Sequence, residues 1–156
     1  MSTQVYDVRA AQAASIPLAV VRRRVRQSDL TRVIPEDCGL VWNALKAQGV
    51  RGGRHVALYW EWDPVIRLEV GAEVDVPFAE QGDLVRSATP AGLVASVTHL
   101  GPYGGLKRAH DALHDWCKAG PHRLAGPSWE IYGHWLPEWD ADPSQIRTDI
   151  HYLLRA

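Results

Sequence analysis

Alternating and helical hydrophobic patterns take turns along this chain in an order that is used twice. Residues 4–13 and 17–26 read as two strands joined by a short turn at Ser15-Ile16-Pro17. Between Pro35 and Gln48, Cys38, Val41 and Leu45 recur at helical spacing, with Leu40 and Ala44 beside them. Pro35 suits a first helical turn, where its missing N–H costs nothing, so the spacing predicts a helix over 36–48. Gly49 and then Gly52-Gly53 end it. HVALYWEW, residues 55–62, is rich in aromatic and β-branched side chains and reads as a strand. Asp63-Pro64 turns the chain into VIRLEV, 65–70, whose alternation marks a half-buried strand.

The order then returns. Residues 83–89 form a strand, Pro90-Ala91-Gly92 a turn and LVASVTHL, 93–100, another strand. Gly101-Pro102-Tyr103-Gly104-Gly105 opens a helix over 104–118 with Leu106, Ala109, Leu113, Trp116 and Cys117 as its apolar stripe, and Gly120-Pro121 stops it. WEIYGHW, 129–135, is a strand, a loop with Pro137 and Pro143 follows, and IRTDIHYLL closes the chain. Gly49 falls over Gly120, Tyr59 over Tyr132 and Pro17 over Gly92, at offsets of 71, 73 and 75. That is a duplicated strand-strand-helix-strand-strand unit with small loop insertions. The first repeat covers about 1–80 and the second about 81–156 of a single domain. Two such units predict an α+β protein: one antiparallel sheet with two helices.

Composition narrows the function classes. At 156 residues the chain has room for a core without metal or disulfide staples. Seventeen basic against eighteen acidic residues leave a net charge of −1, which argues against direct nucleic-acid binding, whose phosphate contacts need a basic excess. No apolar run reaches the roughly 18 residues of a membrane span. The N-terminal stretch has no basic-then-apolar leader, so the expected compartment is the cytoplasm. Cys38 and Cys117 make no disulfide framework or CxxC pair, and both read as plain buried thiols. Seven Trp and five Tyr stand against one Phe, an excess of rings with a polar handle that points to partly wet aromatic surface.

Glu130 is the most telling residue. It lies in the strand Trp129-Glu-Ile-Tyr-Gly-His-Trp135 with apolar neighbours on both sides, and a carboxylate is expensive to bury unless paired. Strand alternation puts Glu130, Tyr132 and His134 on one face. Its counterpart in the first repeat is Ala57, so the fold itself asks for no acid there. If the helices cover the Leu58/Ile131 side, the opposite face offers Tyr59, Tyr132 and Glu130. A carboxylate among aromatic rings suits a cationic or polarised apolar ligand; the other reading is a solvated face. The run Arg22-Arg23-Arg24-Val25-Arg26 splits its charges between two faces; it reads as a solvated strand end, with one arginine available as a partner for Glu130. His110 and His114 have the i, i+4 spacing that zinc sites use, yet the Glu of HExxH is missing and sequence places no third ligand. No metal or other cofactor is expected.

The second half, from Pro90 to Leu153, resembles the GyrI-like small-molecule-binding domains, also found as effector-binding domains of AraC- and MerR-type regulators. The features that carry the resemblance are Pro90-Ala91-Gly92, Thr98-His99-Leu100-Gly101-Pro102-Tyr103, the helix through Trp116, Gly126-Pro127, Glu130-Ile131-Tyr132 and Arg147-Thr148-Asp149-Ile150. The first half matches more loosely through Val41-Trp42, Val56-Ala57-Leu58-Tyr59 and Glu69-Val70-Gly71, with Arg26-Gln27-Ser28 in place of Gly-Pro-Tyr. The resemblance implies a tandem strand-helix-strand-strand fold with a ligand groove at the pseudo-twofold. It implies a ligand-binding role for Glu130, Tyr132 and Tyr103, and the repeat adds Tyr59 as the first-repeat counterpart of Tyr132. The leading expectation is a stand-alone binder of hydrophobic and cationic small molecules or drugs, acting by sequestration or sensing. One alternative is a GyrI-like hydrolase of cyclopropane-bearing alkylating compounds with Glu130 as the catalytic group. A second is a protein-inhibitor module of gyrase-inhibitor type.

Overall fold

The computed structural model describes residues 4–156. It is an α+β protein with antiparallel strands and two main helices, and it divides into two compact units. One comprises Ala14–Ala91; the other comprises Met1–Ala13 together with Gly92–Ala156.

In the Ala14–Ala91 unit, β2 (Pro17–Val25) pairs with both β4 (Ile66–Glu73) and β5 (Val85–Ala88), and β4 pairs with β3 (His55–Glu61). Helix α1 (Leu30–Ala47) buries Val33, Asp37, Val41 and Leu45, a stripe recurring every four residues. Val41 and Leu45 pack with Ala19, Val21, Ala72 and Phe78. Asp37 is held by a two-pronged contact from Arg23, at 3.1 Å for each prong. The helix begins six residues before the predicted start and runs through Pro35. A 3-10 turn over Gln27–Asp29 launches it, with the Arg26 amide donating to the Asp29 carboxylate. Proline therefore removes one amide from an already established helix, and the two buried turns that follow hold it.

The other unit repeats this plan. β6 (Gly92–Leu100) pairs with β1 (Arg9–Ala13) and with β8 (Arg147–Leu154), and β8 pairs with β7 (Leu124–Tyr132). Helix α2 (Leu106–Ala119) follows a 3-10 turn over Tyr103–Gly105 and buries Ala109, Leu113 and Cys117 against Ala95, Val97, Ile150, Tyr152 and Leu154. Leu106 and Trp116 of the predicted stripe are only partly buried beside this core.

Two sequence expectations are corrected. The strands flanking Ser15-Ile16-Pro17 do not form a hairpin: β1 lies along β6, while β5 takes the equivalent place beside β2. Each repeat thus gives its first strand to the unit formed by the other repeat's remaining strands. The segment after β7 is no plain loop, because Pro137–Ala141 forms a short helix, α3, that buries Trp139. β7 consequently ends at Tyr132, and His134 and Trp135 lie beyond it. Gly133 permits this close packing: a Cβ there would stand 3.0 Å from the Trp139 ring.

Candidate functional site

The strand registers of the two units match over His55–Tyr59 and Ser128–Tyr132. Tyr59 faces Leu68 and Ala57 faces Val70 in one unit; Tyr132 faces Thr148 and Glu130 faces Ile150 in the other. Ile150 and Tyr152 pack against α2, so Glu130 projects from the helix-covered side of its strands. This reverses the conditional reading in which helices covered the Leu58/Ile131 side. A partner supplied by the helix meets the cost of burying the carboxylate on that side.

Glu130 is 6% exposed. The Tyr132 hydroxyl donates to its Oε1 at 2.6 Å, and His110 Nε2 of α2 lies 2.7 Å from its Oε2. The other ring nitrogen of His110 is 2.6 Å from the Tyr152 hydroxyl, which is also 3.2 Å from His114 Nε2. Burial, reinforced by the negative charge of Glu130, pushes the Tyr152 hydroxyl well above the ordinary phenol range, so it stays protonated. Burial lowers the pKa of His114, and neighbouring His110 and Lys118 lower it further. The Tyr103 ring meets the Tyr132 ring edge-on, with centroids 5.6 Å apart, and Tyr103 is 45% exposed. Glu130, Tyr132 and Tyr103 therefore come together in one unit. Tyr59 belongs to the other unit, where it is buried and stacked on Trp62 at 4.5 Å.

His110 is the residue sequence reasoning passed over, having weighed it only as half of a zinc pair. Its signal was its position three residues before Leu113, on the edge of the buried stripe of α2. His110 and His114 instead converge on one tyrosine hydroxyl. Among the described residues no group of three or more His, Cys, Asp or Glu side chains is placed to hold a metal ion. The arginine run also has other partners: Arg22 Nε lies 2.8 Å from the buried Glu69, and Arg23 holds Asp37. Histidine, not arginine, is the basic partner of Glu130.

The turn that brings Tyr103 to Tyr132 is built on His99. This ring is 3% exposed, with Nδ1 at 2.9 Å from the Tyr6 hydroxyl and Nε2 at 3.1 Å from the Pro102 carbonyl. Gly105 lies so close that a Cβ would be 3.1 Å from the ring. The His-Leu-Gly-Pro-Tyr sequence thus serves to wrap the backbone around a buried imidazole and to set the position of the tyrosine. The two thiols are unsuited to nucleophilic chemistry. Burial, with Asp37 adding, pushes Cys38 up to about 12, and burial also raises Cys117. Among the described residues no helix is long and apolar enough to cross a membrane.

No family model matches the chain, and no curated protein does. Solved structures do. The EcmrR C-terminal domain superposes with a TM-score of 0.78 at 21% identity, over 97% of this chain and 99% of that one. In the EcmrR–DNA complex the match spans 57% of the longer EcmrR chain. SAV2435, solved bound to tetraphenylphosphonium, superposes at 0.69 with 12% identity, covering 96% of this chain and 94% of its own. A hydrolase from Listeria innocua superposes at 0.60 with 9% identity, covering 95% and 91%. The GyrI-like fold that the motifs led us to expect is the fold of this chain.

Proposed function

We propose that this protein binds hydrophobic cations and related small molecules at Glu130, with Tyr132 and Tyr103 as aromatic contacts, and so acts in sequestration or sensing. The observation that carries the reading is a buried carboxylate with a basic imidazole and a phenol as hydrogen-bond partners and tyrosine rings beside it. The matching position of the other unit is alanine, so packing does not call for the acid. Rings attract a cation through their faces, and the carboxylate adds charge in a setting where water screens little. The tetraphenylphosphonium held by SAV2435, a protein of the same fold, supports a ligand of this chemistry. Tyr59 enters the proposal only through its match to Tyr132.

The test is titration of tetraphenylphosphonium and of a neutral aromatic analogue against wild type and Glu130→Gln. Loss of the charge weakens the cation by about 1–3 kcal/mol, the range of a charge-assisted contact, and leaves the neutral compound nearly unchanged. Equal binding of the cation by both proteins would remove Glu130 from the site.

The contact between Glu130 and His110 also supports a second reading, hydrolysis of cyclopropane-bearing alkylating compounds, since a carboxylate and an imidazole 2.7 Å apart can move a proton to and from water. Likeness in fold to the Listeria innocua hydrolase favours keeping it. In that case Glu130→Gln preserves substrate affinity and lowers turnover about 100-fold or more. Turnover of such a compound, measured beside the binding titration, separates the two readings.

A further inference from the structure

Ligand binding by a carboxylate needs charge and rings. The groups under α2 extend well past that requirement. From Glu130 Oε2 the contacts run to His110 Nε2 at 2.7 Å, from His110 Nδ1 to the Tyr152 hydroxyl at 2.6 Å, and from there to His114 Nε2 at 3.2 Å. The path starts at a carboxylate with side-chain exposure of 7%, passes an imidazole at 21%, and ends on a histidine on the exposed side of α2. Every link joins atoms that both give and accept protons. With both histidines neutral, one consistent arrangement has His114 Nε2–H donating to Tyr152, Tyr152 to His110 Nδ1, and His110 Nε2–H to an ionised Glu130. All donors then point inward.

We propose that His110, Tyr152 and His114 form a proton relay through which Glu130 exchanges a proton with solvent. The relay does not rest on the binding reading above. Inward transfer begins when an acid in solution gives a proton to His114 Nδ1. The Nε2 proton of His114 passes to the Tyr152 oxygen, the Tyr152 proton to His110 Nδ1, and the His110 Nε2 proton to Glu130 Oε2. Each intermediate group gains one proton and loses one. Both imidazoles end neutral with their donor nitrogens exchanged, and Glu130 ends as the acid. Reversal returns one proton to water. His110, Tyr152 and His114 are positioning residues in this scheme, and only Glu130 is assigned to meet the ligand.

Titratable groups of β7, α2 and β8 face the path. From β7 it is faced by the Tyr132 phenol on Glu130. From α2, Asp111, Asp115 and Lys118 act on His114, and Cys117 and Asp111 act on Tyr152. From β8 the facing group is Tyr152 itself. Tyr152 is kept protonated by burial, as a relay link requires.

The test reads one end of the path while changing the other. Histidine side-chain nitrogen resonances of the free protein are followed against pH in four proteins: wild type, Glu130→Gln, Tyr152→Phe and the double variant, each checked for wild-type folding by circular dichroism. The relay requires Glu130→Gln to move the His114 midpoint by about half a pH unit or more in the tyrosine background, and to leave it unmoved in the phenylalanine background. A His114 midpoint indifferent to Glu130, or equally responsive in both backgrounds, overturns the relay, because a through-space field does not need the hydroxyl. A cation indifferent to Glu130→Gln overturns the binding reading, and the resonance titration still decides the relay.

Discussion

The two units are built to one plan and filled differently beneath their helices. Under α1 the paired positions are Ala57 and Val70, with Ala72 two residues along; under α2 they are Glu130 and Ile150, with Tyr152 in the corresponding place. Three residues before the buried Val41, α1 carries Cys38; three before the buried Leu113, α2 carries His110. An apolar layer of small side chains in one unit is thus a hydrogen-bonded polar cluster in the other. The first unit folds on the same pattern without a carboxylate there, so the architecture does not require the Glu130 cluster. The Ala14–Ala91 unit does bury charge, but elsewhere: Asp37 with Arg23, and Glu69 with Arg22 and the Ser87 hydroxyl. Those carboxylates are met by arginines, whereas Glu130 is met by a histidine.

Transplanting the acid gives the sharpest contrast. Ala57→Glu places a carboxylate on a fully buried position beside Val70 and Ala72, with no histidine on α1 to meet it. We expect a loss of about 3–5 kcal/mol in urea unfolding, the cost of an uncompensated buried charge. A loss below about 1 kcal/mol would mean that the two layers are less different than they look. Removing the partner of a buried acid comes next. Arg23→Met leaves Asp37, 5% exposed, without its guanidinium; since Arg23 itself is 31% exposed, the loss is about 2–3 kcal/mol after allowance for water. Tyr152→Phe strips the hydroxyl shared by His110 and His114 and costs about 1–2 kcal/mol, the scale of a buried hydrogen bond left half made.

The smallest effect is in pH. The pKa of His114 is lowered on folding, so the unfolded chain binds the proton more tightly. The associated stability is fully present above the unfolded value of 6.5 and is lost as pH falls through the lower folded value. Melting temperature measured between pH 7.5 and 5 should fall slightly more for wild type than for His114→Gln. Identical falls would show that His114 contributes nothing to the slope.

Much of this was legible before any coordinates. Glycines after the apolar helical stripes marked where both helices stop, and the offsets of Gly49, Tyr59 and Pro17 against their partners revealed the duplication. Apolar neighbours on either side of Glu130 singled it out, and the His-Leu-Gly-Pro-Tyr motif pointed to Tyr103. These are local signals: backbone conformation and side-chain period are written within a few residues. The start of α1 was less legible, because Pro35 looks like a helix opening when the upstream 3-10 turn has no periodic signature. The exchange of first strands was hidden for a different reason. A strand following a short turn reads as a hairpin from sequence, but which neighbour it pairs with is settled by competition among edges far apart in the chain. Sequence alone, then, determined the class of fold, the repeat and the residue most worth asking about. Tertiary structure decided which side of the strands the helices cover and that the partner of Glu130 is His110. Both depend on contacts between α2, β7 and β8, segments 20 to 42 residues apart at the atoms that meet, and no local pattern encodes a hydrogen bond across that distance.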